Sequence, residues 1–144
     1  MAIKTFGVIG AGQMGNGITQ VAAMSGLNVI MNDIKDEFVD RGLATITKIL
    51  ARNVDKGKMT ADEKNAVLDR VKTSVNLKDM SSADFVVEAA VENEALKFQI
   101  FKDLDEICES GVILATTTSS IPIGRIAAQT RRPEKVIGMH FMNP

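Results

Sequence analysis

The stretch GVIGAGQMGNG, residues 7–17, limits this chain more than any other. Gly10, Gly12 and Gly15 follow the spacing G-x-G-x-x-G. They stand directly after the short apolar run Thr5–Ile9 and directly before a helical pattern, Ile18, Val21, Ala22 and Leu27, that reaches a stop at Ser25-Gly26. A strand, a glycine turn and a helix in that order form the opening of a βαβ unit. Each glycine then has a separate role. Gly10 permits the tight turn, Gly12 lets a pyrophosphate approach the backbone, and Gly15 lets helix and strand pack closely. Gln13 and Met14 fall where the new helix presents free amides and partial positive charge to phosphate oxygens.

The rest of the chain continues the alternation. Asn28–Asn32 reads as a second strand. An amphipathic run with Phe38, Leu43, Ile46, Ile49 and Leu50 follows, from Lys35 to Lys56-Gly57, and Thr60 with Glu63 forms a capping-box signal for another helix up to about Arg70. Val71–Val75 reads as a short strand and Phe85–Val87 as a further strand ending at Glu88. A helix carries Leu96, Ile100, Leu104 and Ile107. Val112–Ala115 is the next strand, then Ser119-Ser120 caps a helix entered through Pro122, and Val136–Met139 is the last strand. Continuous apolar strands between helices call for a parallel sheet covered on both faces. The expectation is an α/β, doubly wound parallel sheet of the Rossmann dinucleotide-binding kind, with a helical hairpin inserted after the second strand. At 144 residues it is one domain, 1–144.

Asp33 closes the second strand. A carboxylate there can accept hydrogen bonds from both hydroxyls of an adenosine ribose, and its charge repels a 2′-phosphate, so NAD is favoured over NADP. The competing role for Asp33 is a helix N-cap before Ile34-Lys35. FAD proteins share the glycine fingerprint.

Composition closes off other classes. Net charge is −1, so no global basic field draws in a nucleic acid. Tyrosine and tryptophan are absent and aromatic residues are 4% of the chain, too few for a base-stacking platform. No stretch approaches membrane-spanning length, and Met-Ala-Ile-Lys runs straight into a strand pattern without a signal-peptide core. Cys108 is the sole cysteine and falls in an apolar helical pattern, which reads as a buried structural thiol in a reducing compartment; the expected location is cytoplasmic. No metal site is expected.

In open α/β sheets, ligands bind beyond the carboxyl ends of the strands. After Phe85–Val87 come Glu88, Ala89, Ala90, Val91, Glu92 and Asn93; after Val112–Ala115 come Thr116 to Ser120; after Val136–Met139 comes His140, the only histidine, with Asn143 close behind. A carboxylate, a hydroxyl cluster and an imidazole beside a dinucleotide loop suit alcohol oxidation. His140 would take the hydroxyl proton while hydride passes to a nicotinamide, and Ser119 would hold the substrate oxygen. The plainer alternatives are a structural histidine and hydroxyls that serve as a helix cap.

Four segments together, GVIGAGQMG, VVEAAVENEALK, the TSS run and HFMNP, make the chain resemble the NAD-binding half of L-3-hydroxyacyl-CoA dehydrogenases, most of all bacterial 3-hydroxybutyryl-CoA dehydrogenases. The resemblance runs from Phe6 to Pro144. It implies His140 as catalytic base, Ser119 in contact with substrate and cofactor, and Asn143 in the active site. It also implies Ala90, Glu92 and Lys97 beside the cofactor. It implies that the helical hairpin meets the nucleotide end of coenzyme A; Lys48, Arg52 and Lys56, spaced by four on one helix face, are the candidates. The family usually reads N-T-S-S where this chain has Thr117-Thr118-Ser119-Ser120, so an amide is replaced by one hydroxyl. The family's glutamate partner of the histidine, and its helical second domain for substrate and dimer contacts, are expected to be absent from these 144 residues, which therefore should be nearly inactive alone; a homodimer is expected only of a full-length parent. The alternatives are a non-catalytic NAD-binding relative of the lens-crystallin kind, and a hydroxyacid dehydrogenase whose substrate lacks CoA.

Overall fold

The computed structural model describes residues 2–141. Six parallel strands stand in the order β3-β2-β1-β4-β5-β6. They are β1 Thr5–Ile9, β2 Asn28–Asn32, β3 Val71–Ser74, β4 Phe85–Glu88, β5 Ile113–Thr116 and β6 Val136–Gly138. Helices α1 Gln13–Met24, α2 Asp36–Asp55, α3 Ala61–Asp69, α4 Glu94–Ile107 and α5 Ile123–Ala127 connect them. The expected doubly wound sheet is therefore present, and α2 with α3 is the hairpin inserted between β2 and β3.

Alternate strand residues feed two cores. Val8, Val87 and Ala115 join α1, α2 and α3 through Ile18, Ile46, Leu50 and Val67. Their chain neighbours Ile9, Val86 and Leu114 pack on the other side against Phe101 and Leu104 of α4 and Ile126 of α5. This two-sided burial is why the strands read as unbroken apolar runs. The stops read from sequence hold as well: Gly26 and Gly57 have φ of +96° and +72°, the left-handed conformation that ends a helix. Thr60 and Glu63 form the reciprocal capping box at the start of α3.

Two expectations change, and one element has no counterpart in the sequence reading. Ser119 and Ser120 do not cap a helix: α5 starts after Pro122 with no side-chain cap, because the serines are drawn instead towards Glu92. Val21 of α1 is exposed rather than part of the core, since α1 buries the face that carries Ile18, Thr19, Ala22 and Ala23. A 3₁₀ turn at Leu77–Ser82, which carries no clear signal in the sequence, brings Met80 into the second core.

Candidate active site at the carboxyl edge of the sheet

The register lines up one row of residues across the end of the sheet. Asn32 of β2 stands beside Ile9 of β1, Ile9 beside Glu88 of β4, Glu88 beside Thr116 of β5, and Thr116 beside Gly138 of β6. The glycine loop, Asp33, the segment from Ala89 to Asn93, the Thr117–Ser120 run and His140 all follow this row. The crevice opens between β1 and β4, where the winding reverses direction.

At that point the Gly10 N–H donates to the Asn32 carbonyl (2.7 Å), which turns the loop across β2. Gly10 has φ +107°, and a Cβ there would lie 2.5 Å from the Ala89 carbonyl oxygen. At Gly15 a Cβ would lie 1.8 Å from the Gly10 carbonyl oxygen, so α1 rests on the turn itself. Gly12 faces open space, with nothing within 4 Å of such an atom. It is also the N-cap of α1 and offers no side-chain cap, so Gln13 and Met14 start the helix with amides left for an outside acceptor. Asp33 is held by two backbone donors: Ala11 N–H to Oδ2 (2.9 Å) and Ile34 N–H to Oδ1 (2.7 Å). Lys35, not Asp33, is the N-cap of α2. A largely apolar cleft of about 360 Å³ runs from Gly10, Gly12 and Asp33 past Phe38 to Ala90 and Leu96. An open glycine face, free helix amides and a carboxylate at the lip of an apolar cleft together fit the pyrophosphate, ribose and adenine of a dinucleotide.

The edge is strapped from β4 to β5 by two carboxylates. Glu88 is wholly buried; it accepts from Thr116 Oγ1 (2.7 Å), the Ala90 N–H (2.7 Å) and Lys97 Nζ (2.5 Å). Lys97, only 1% exposed, also donates to the Ala90 carbonyl (3.1 Å) and lies 3.4 Å from Glu92. Glu92 reaches over the serine loop, accepting from Thr118 Oγ1 (2.8 Å), Ser120 Oγ (3.0 Å) and the Ser119 N–H (3.3 Å). Partial burial opposes its ionisation. The hydrogen bonds from Thr118, Ser120 and Ser119, with the Lys97 charge, outweigh that and hold the Glu92 carboxyl below the usual range. Thr117 itself donates only its backbone N–H, to the Glu88 carbonyl (3.0 Å), among the described contacts.

Ser119 is exposed just beyond β5, and His140 is exposed just beyond β6, where the Met139 N–H donates to the Thr116 carbonyl (2.9 Å) and ties the two strand ends together. Asn143 lies outside the described residues. Lys48 and Arg52 lie on α2 and Lys56 at its C-cap; all three are exposed and none forms an ion pair among the described residues. Cys108 is buried, its thiol donating to the Met80 carbonyl (3.6 Å), and burial pushes its pKa up to about 11. It is a core thiol. Among the described residues no group of histidine, cysteine and carboxylate side chains could hold a metal, and no helix is long and apolar enough to cross a membrane.

Glu88, read from the sequence only as a carboxylate at the strand end, is the buried acceptor that joins Thr116, the Ala90 N–H and Lys97. The available signal is a carboxylate between Val86-Val87 and Ala89-Ala90, since a charge inside an apolar run needs a buried partner. The apolar wall of the cleft, with Ile34, Val75 and Leu77, has no such signal.

Residues 5–144 match the family model of the 3-hydroxyacyl-CoA dehydrogenase NAD-binding domain. The chain belongs to that family. A probable 3-hydroxybutyryl-CoA dehydrogenase of Bacillus subtilis is 51% identical over 144 residues, covering 100% of this chain and 50% of the relative. Its counterpart in Deinococcus radiodurans is 52% identical over 139 residues, covering 96% of this chain and 50% of the relative. Among solved structures, (S)-3-hydroxybutyryl-CoA dehydrogenase from Ralstonia eutropha superposes with a TM-score of 0.96 at 48% identity, covering 99% of this chain and 50% of that one. The chain thus spans about half the length of these relatives. As an NAD-binding domain of the 3-hydroxyacyl-CoA dehydrogenase family, it takes NAD as its cofactor.

Proposed function

We propose that this domain serves an enzyme that interconverts 3-hydroxyacyl-CoA, foremost 3-hydroxybutyryl-CoA, and 3-oxoacyl-CoA. The observation that carries the reading is the single row Asn32–Ile9–Glu88–Thr116–Gly138, from which the glycine loop, Asp33, the serine loop and the histidine segment all depart. NAD supplies the hydride acceptor. In this reading Gly10, Gly12, Gln13, Met14 and Gly15 line the pyrophosphate, Asp33 the adenosine ribose, and Ala90 with Glu92 the far end of the cofactor, while Lys97 steadies Glu92 from below. The Ser119 hydroxyl donates to the substrate oxygen. His140 removes the 3-hydroxyl proton, and Asn143 completes the polar surround. Lys48, Arg52 and Lys56 face the CoA phosphates. The relatives' names support the acyl-CoA class. The setting is cytoplasmic, with neither nucleic acid nor membrane as partner, and the complete enzyme is a homodimer.

The test is NADH oxidation with acetoacetyl-CoA in an enzyme that joins this domain to a C-terminal half of the Bacillus subtilis type. His140→Gln should lower turnover by about 10²–10⁴, the scale set by removing a positioned general base. Undiminished turnover, or equal turnover of free acetoacetate, would overturn the reading.

A further inference from the structure

Gly42 lies buried within α2, although glycine is the poorest helix former after proline. Its neighbours explain it. A Cβ on Gly42 would stand 2.8 Å from the carbonyl oxygen of Ala11, 3.2 Å from the Ala11 methyl and 3.2 Å from Met31 Cε. The Met31 methyl ends a flexible side chain and can yield. The Ala11 carbonyl belongs to the backbone of the glycine loop, between Gly10 and Gly12, and can move only by carrying the loop with it.

Ala11 is a junction. Its N–H donates to Asp33 Oδ2 (2.9 Å), and its carbonyl accepts from Asn16 Nδ2 of α1 (3.3 Å). Any shift of Ala11 therefore disturbs its N–H bond to Asp33, one of the two backbone bonds that hold that carboxylate.

We propose that Gly42 is a cofactor-positioning residue: its bare backbone lets α2 seat Ala11, and Ala11 in turn sets the carboxylate of Asp33 for the ribose and against a 2′-phosphate. Discrimination between the two nicotinamide dinucleotides is then decided partly from the hairpin helix, outside the glycine fingerprint. The inference rests on the reading of Asp33 as the ribose acceptor.

The test is a cycle of Gly42→Ala, Asp33→Ala and the double variant, each titrated with NADH and NADPH, with a thermal melt of each free chain. Gly42→Ala should weaken NADH by about tenfold, the scale of one charge-assisted hydrogen bond, and narrow the gap to NADPH. In the Asp33→Ala background the added Gly42→Ala should narrow that gap no further. Amide exchange at Ala11 should be slow in the unsubstituted, cofactor-free chain and faster in Gly42→Ala. An unchanged NADH-to-NADPH ratio in Gly42→Ala, an additive cycle, or fast Ala11 exchange in the unsubstituted chain would overturn the proposal. So would failure of Gly42→Ala to fold, which would assign the glycine to core packing. If Asp33→Ala leaves the ratio unchanged, the reading of Asp33 falls first and takes this inference with it.

Discussion

At the scale of single residues, the buried pair of Glu88 and Lys97 has the largest consequences. Neither side chain reaches solvent, and each has its polar atoms committed to protein partners. Removing one charge leaves the other buried without its nearest partner, a change that costs about 3 kcal/mol or more. Glu88→Gln should therefore lower the unfolding free energy by about that much in urea titration, whereas Glu88→Gln with Lys97→Met should recover part of it. If Glu88→Gln alone is as stable as the parent, Glu92 and the Ala90 carbonyl suffice to hold Lys97. Cys108 gives a prediction in pH. Its thiol pKa is raised by burial to about 11 from an ordinary 9.0, so the folded chain keeps its proton longer than the unfolded one. That contribution is complete below pH 9 and is lost as pH rises towards about 11. Melting temperature should fall across this window, and Cys108→Ala should flatten that part of the profile. A slope that survives Cys108→Ala would place the alkaline sensitivity in other groups.

At the scale of elements, the loop after β5 departs most from the family resemblance. Thr117 stands where the family usually has asparagine, yet the strap around it is complete without its hydroxyl: Glu88 holds Thr116, and Glu92 holds Thr118, Ser119 and Ser120. Among the described residues the Thr117 side chain makes no hydrogen bond, so under the proposed function it is the position at which an amide can be restored. Thr117→Asn should raise turnover in the two-halved enzyme while shifting stability by no more than about 0.5 kcal/mol, as for positions outside packed networks. Steady-state kinetics beside a thermal melt separates the two effects. Equal kinetics would reduce position 117 to a packing role.

At the scale of the whole molecule, two packed cores and an intact dinucleotide edge support cofactor binding without further domains. The relatives run to about twice this length. Under the proposed function, the histidine's carboxylate partner and the wall of the acyl site come from that remainder. The 144-residue chain should thus bind NADH yet oxidise it with acetoacetyl-CoA about 10⁴ more slowly than the same domain joined to a C-terminal half, because no carboxylate among the described residues is bonded to His140 to fix its tautomer. Comparable rates would mean that His140 works alone or that the base lies elsewhere in this chain.

Sequence by itself determined what depends on local pattern. The strand runs, the glycine turn, the stops at Gly26 and Gly57 and the capping box at Thr60 each satisfy a backbone or burial requirement within a few residues, so they could be read in order along the chain. Asp33 and the segments after β4, β5 and β6 were legible for a related reason: a parallel sheet sends the ends of all its strands to one edge. Which groups meet at that edge was a tertiary matter. Glu88 finds Lys97 and Thr116, the serine loop turns to Glu92 rather than capping α5, and Gly42 makes room for Ala11, each between separate elements. A hydroxyl or a carboxylate carries no local record of its partner. Only packing the helices onto the sheet brings that partner within hydrogen-bond reach.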